Sequence, residues 1–158
     1  MKNSIKLILF VVGALLFNYN ADAQCREKKS IAKSCKPQMK PFHYDGMAYN
    51  DLIFDDKAKV IEVEFTAFAG EKYKLLFCKS NFQEKVPIKI YDKNKRNKNR
   101  KIVYNSEEQT VSNFWGFEPP RSGNYFIEYE VPASATGVKK NECIVLLIGY
   151  SDAVTKKK

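Results

Sequence analysis

The chain has 158 residues, four cysteines, one histidine and a formal net charge of +9, with 44% hydrophobic and 13% aromatic side chains. That apolar and aromatic content excludes disorder as the general state. The length suits one domain, large enough to bury about two thirds of its unfolded surface. A lone His43 and cysteines with no C-x-x-C pair argue against zinc, which prefers close pairs of ligands.

Residues 1–23 read MKNSIKLILFVVGALLFNYNADA. Lys2 and Lys6 form a basic start, Leu7 to Phe17 an apolar run, and Ala21-Asp22-Ala23 an A-x-A cleavage site, the order of a secretory signal peptide. The apolar run has 11 residues, too few for a bilayer that needs roughly 20 in a helix. Cleavage after Ala23 leaves Gln24 first, in the periplasm or outside the cell, with no transmembrane anchor. It removes two Lys and one Asp, so the charge becomes +8. Lipidation of Cys25 fits worse, because Asp22 and Gln24 occupy places where that pattern wants apolar and small residues.

Cys25, Cys35, Cys78 and Cys143 all survive the cut, and an even count in an exported chain favours disulfides. Residues 24–44 read as a Cys-bearing helix and linker, the helix lying within 25–36 (CREKKSIAKSCK). Ten helical residues span about 15 Å, whereas bridged Cα atoms lie within about 7 Å. Cys25 and Cys35 therefore do not pair with each other. Each reaches into the body, to Cys78 or Cys143, and both such arrangements stay open. His43 falls in the linker Pro41-Phe42-His43-Tyr44.

Residues 45–152 read as strands. In Val60 to Phe68, Ile61, Val63, Phe65 and Ala67 share one face, and Glu62, Glu64 and Thr66 the other. After Gly70, Tyr73, Leu75 and Phe77 point inward from Lys72 to Cys78. Val86–Tyr91, Lys101–Tyr104 and Thr110–Phe117 are shorter strands. Asn124 to Val131 places Tyr125, Ile127, Tyr129 and Val131 together. Cys143 to Tyr150 is nearly all apolar and belongs at the centre of a sheet, covered on both faces. Tyr49–Phe54 is the candidate eighth. Seven to eight such strands with turn signals between them predict an all-β antiparallel sandwich, with the N-terminal helix tethered to it by disulfides. Asp92–Lys101, Ser134–Asn141 and the basic tail 153–158 lie outside the core.

Ala69-Gly70-Glu71-Lys72-Tyr73, Ile88-Lys89-Ile90-Tyr91-Asp92 and Ser122-Gly123-Asn124-Tyr125-Phe126-Ile127 follow one another as strand-entry and strand-exit motifs. In that order they resemble bacterial pre-peptidase C-terminal domains, over about residues 58–150, and small exported bacterial proteins of the same sandwich type. The resemblance implies a jelly roll with an accessory role and no catalytic residues. The Cys-bearing N-terminus and the basic loop depart from that pattern.

No nucleophile, base and orienting group can be assembled around His43, and no G-x-S-x-G elbow occurs. Glu62 with Glu64, and Glu128 with Glu130, read as solvated strand faces with cross-strand lysine partners. Asp51, Asp55 and Asp56 lack the spacing of a calcium loop. Neither a metal nor a cofactor is expected. Lys93, Lys95, Arg96, Lys98, Arg100 and Lys101 form an exposed run that contributes little to folding and is a candidate for an anionic partner. Without interleaved aromatics, nucleic acid is not expected; an acidic glycan or an envelope surface or protein is. Phe114 and Trp115 are a candidate sugar platform, with alternation placing them on opposite faces. The sequence thus reads as an exported, non-catalytic sandwich that binds or scaffolds in the cell envelope. An envelope enzyme or enzyme inhibitor with an unrecognised site, and a glycan-binding module, are the alternatives. Intact mass of the exported protein is expected to show Gln24 as its first residue; a diacylglyceryl mass on Cys25 would overturn the cleavage reading.

Overall fold

The computed structural model describes residue 25 and residues 27–79, 84–109 and 113–152. Residues 1–23, read from the sequence as a signal peptide, and the tail 153–158 lie outside the described residues. Helix α1 (Lys28–Cys35) runs into a 3-10 turn (Lys36–Met39). Eight strands follow: β1 (His43–Phe54), β2 (Lys59–Ala67), β3 (Glu71–Lys79), β4 (Ile88–Tyr91), β5 (Ile102–Asn105), β6 (Phe114–Phe117), β7 (Gly123–Val131) and β8 (Lys140–Asp152). They form two four-stranded sheets, ordered β1-β8-β3-β6 and β2-β7-β4-β5. Every pairing is antiparallel. Eight strands crossing between two sheets in this order make a jelly roll.

The alternation of β2 sets its register. Ile61, Val63 and Phe65 lie opposite Tyr129, Ile127 and Tyr125 of β7, so both strands turn the same face to the core. From the other sheet, Leu52, Phe54, Tyr73, Leu75, Phe77, Ile144 and Leu146 close the sandwich. Each such side chain removed from water contributes about 1.5–3 kcal/mol. Trp115 stacks on Phe117 at 3.9 Å between centroids, and Phe117 packs edge-on against Tyr125.

Strands β3 and β8 are apolar on both faces, and the second face needs its own cover. Leu76, Cys78, Cys143, Val145 and Leu147 point away from the sandwich and are buried beneath Cys25, Ile31 and Met39 of the N-terminal segment. Gly149 is part of this fit. A Cβ there would run into Met39 Sδ and come within 3.1 Å of the His43 carbonyl oxygen.

The N-terminal segment is bolted down by Cys25–Cys143 and Cys35–Cys78, with Cα atoms 5.2 and 6.2 Å apart. Each N-terminal cysteine therefore pairs with a sheet cysteine, which settles the two arrangements left open by the sequence. The linker placement of His43 is corrected. It opens β1 and pairs with Tyr150, because β8 is long enough to carry β1 back that far. Strand β4 starts at Ile88, one residue past Pro87, which has no N–H to offer the ladder.

Cys35–Cys78 closes a loop with a sequence separation of 43. Replacing both by alanine is expected to lower unfolding free energy by about 4 kcal/mol through the freed unfolded chain. Guanidinium titration of the double variant checks this, and an unshifted midpoint would refute it.

Candidate functional site

Helix α1 buries one side chain, Ile31, so its other faces meet solvent. Those faces carry Lys28, Lys29 and Lys33; Lys36 and Lys40 follow in the turn. Beyond them, β1 presents exposed Tyr44, Met47 and Tyr49. Lysines and rings meet across this boundary. Lys28 Nζ sits 3.6 Å from the centroid of Tyr49, and Lys36 Nζ 4.4 Å from that of Tyr44. Lys74 Nζ lies 6.0 Å from the Phe42 ring and 4.9 Å from Phe114, held there by donating to the Gln38 carbonyl oxygen at 2.6 Å.

An open groove of about 510 Å³ runs along this surface. Its walls combine Lys33, Lys36 and Lys40 with Phe42, His43 and Tyr44, and none of its lining residues is a carboxylate. The His43 ring faces Tyr150 at 5.9 Å. All four cysteines are bridged, so Cys35 and Cys143 offer no thiolate. Three ammonium groups beside aromatic rings can hold an anion and an apolar ring face. They do not assemble a base with an orienting acid.

The predicted platform separates as alternation requires. Phe114 is exposed, at 39%, on the side of Lys74. Trp115 turns to the core and rests on Phe117 and Tyr104. The exposed ring therefore joins the N-terminal surface rather than forming a platform with Trp115.

The six basic residues of the loop between β4 and β5 have three fates. Lys95, Arg96, Lys98 and Lys101 are exposed, and Lys93 is half-buried with its Nζ donating to the Asn99 carbonyl oxygen. Arg100 is packed. Its guanidinium stacks 3.8 Å from the Tyr91 ring centroid and donates to both Glu128 oxygens, at 2.5 and 3.4 Å. Glu62 lies 3.9 Å away. The hydrogen bond to Glu128 raises the guanidinium pKa above the ordinary arginine value. This corrects two readings. Glu128 is buried, at 4% exposure, not solvated, and Arg100 belongs to the fold. Both follow from the loop folding back across the sheet. Glu130 does take a cross-strand lysine, Lys89, at 2.6 Å.

Asp55 is engaged by Lys59, whose hydrogen bond holds its carboxyl below the usual range. Asp51 Oδ1 is buried without a partner. Among the described residues no three His, Cys, Asp or Glu side chains are grouped to hold a metal. The lysines at 28, 29, 33, 36 and 40, followed by Phe42, Tyr44 and Tyr49, were the missed signal: a basic helix face leading into an aromatic strand.

Replacing Arg100 by alanine strands a buried carboxylate and is expected to destabilise the protein by about 2–3 kcal/mol. Lys95→Ala or Lys98→Ala should stay within about 0.5 kcal/mol. Equal effects at Arg100 and Lys98 in thermal unfolding would show that the Glu128 pair contributes nothing.

No family model matches the chain, and no curated protein matches it. Among solved structures it is similar to PliG of Aeromonas hydrophila, a periplasmic lysozyme inhibitor of g-type lysozyme. The two are 13% identical, with a TM-score of 0.46, over 71% of this chain and 90% of that one.

Proposed function

We propose that this protein is an exported, non-catalytic jelly roll that binds an acidic glycan of the cell envelope through its N-terminal basic, aromatic face. One observation carries the reading: the groove beside the only histidine gathers three lysines and three aromatic or imidazole rings and has no carboxylate in its lining. Ammonium groups suit the carboxylates or sulfates of such a polymer. Exposed ring faces suit the apolar faces of its sugars. Two disulfides favour an oxidising compartment, which also sets acidic glycans ahead of nucleic acid. Kinship with accessory domains of the pre-peptidase C-terminal type belongs to the same proposal. It is supported by the placement of the three motifs, at the turn before β3 (Gly70, φ +91°), along β4 and at the entry to β7.

Heparin-agarose tests the reading. The triple variant Lys33→Gln, Lys36→Gln, Lys40→Gln is expected to elute at distinctly lower salt than wild type. Its melting temperature should move by no more than about 3 °C, since all three side chains are exposed. A control that neutralises exposed Lys57, Arg121 and Lys139 removes the same charge elsewhere and should elute close to wild type. If the two triple variants elute together, retention reflects net charge alone and the assigned face is wrong.

A further inference from the structure

We infer that the ordered loop between β4 and β5 is a second site for the same class of acidic polysaccharide, and that the two sites make the protein a cross-bridge between glycan chains. The inference rests on the glycan reading of the first face and adds a second face and a bridging function.

The loop is built, not merely charged. Its ends are closed by Asp92, whose N–H donates to the Lys101 carbonyl at 3.1 Å and whose Oδ1 accepts from the Lys101 N–H at 2.7 Å. Inside, Asn94 Oδ1 accepts from the Arg96 N–H and Asn97 Oδ1 from the Asn99 N–H. Two anchors then fasten it to the sheet. The Lys95 N–H donates to Glu62 at 2.9 Å, and Arg100 is locked between Tyr91 and Glu128. A loop fixed in this way loses little further entropy when it binds.

The local charge balance is also set by these anchors. The acids of the underlying sheet are already engaged: Glu62 and Glu128 by the loop itself, Glu130 by Lys89 and Glu64 by Asn124. The ammonium and guanidinium groups of Lys95, Arg96, Lys98 and Lys101 are exposed and form no ion pair among the described residues. Arg100 and Lys89 offset two of those four carboxylates, and the four exposed cations outnumber the two that remain, so the surface offered to a polyanion is net positive.

Position turns a second site into a bridge. Ile61 and Ile127 point into the core, so Glu62 and Glu128, and the loop above them, lie on the outer face of the β2-β7-β4-β5 sheet. The N-terminal segment covers the outer face of the other sheet through Cys25, Ile31 and Met39, and carries exposed Lys33, Lys36 and Lys40 beyond it. Packed sheets are about 10 Å apart, and the helix layer adds to that separation. A short oligosaccharide bound on one face therefore leaves the other free.

The test is calorimetric titration of the mature protein with a heparin hexasaccharide. Wild type is expected to bind two per molecule. Replacing Lys95, Arg96, Lys98 and Lys101 by Gln, with Arg100 kept, should leave one, and so should the Lys33, Lys36, Lys40 variant. A second readout uses protein captured on immobilised heparin, which should recruit fluorescent hexasaccharide from solution; each single-face variant should lose that recruitment. A stoichiometry of one for wild type, unchanged in the loop variant, overturns the second site while leaving the first-face reading intact. Binding that survives the N-terminal variant but vanishes in the loop variant would overturn the first-face reading and the bridge together.

Discussion

A short basic helix has no reason of its own to lie on a sheet. Helix α1 has eight residues, one buried side chain, no side-chain cap and no acid in its first turn. Isolated helices of that length are marginal in water. Two disulfides, one at each end of the segment, hold it over β8 and β3. The rest follows from that restraint. Leu76, Val145 and Leu147 can be apolar on the outer face of their sheet because something covers them. The lysines of the segment can all face outward because the helix does not need them for attachment.

The opposite sheet solves a different problem with charge. Its outer face carries glutamates in adjacent strands, with Glu62 directly across from Glu128. Like charges opposed in this way repel. Arg100 reaches both, and by doing so fixes the loop that bears it. The same contact that relieves the sheet therefore orders the remaining basic residues. On one side covalent bonds position a cationic surface; on the other an ion pair does.

Much of the fold could be read locally. Strand β2 alternates cleanly, β3 and β7 each keep one continuous apolar face, and β8 is apolar enough to announce a covered central position. Helical rise against disulfide reach was enough to reject a Cys25–Cys35 bridge. What escaped was non-local. The first half of β1 has exposed Tyr44, Met47 and Tyr49 and a register shift between Tyr44 and Gly46, so no period of two shows there. It is a strand because β8 extends beside it. Glu128 occupies a polar position in its alternation and is buried only because a loop from far along the chain folds over it. Likewise, the basic helix face gains chemical meaning only when the fold sets it next to the aromatics of β1.

The bridge between Cys25 and Cys143 spans a sequence separation of 118 and joins the N-terminal segment to the last strand. During synthesis from the N-terminus, Cys25 appears long before its partner exists. Cys35 and Cys78 are the only cysteines it can meet in the interval. The native pairing is thus delayed until nearly the whole jelly roll has been delivered. Bonds formed in order of arrival would join Cys25 to Cys35 or Cys78, so the native pairing requires that Cys25 stay free, or be released by thiol–disulfide exchange, until β8 is present.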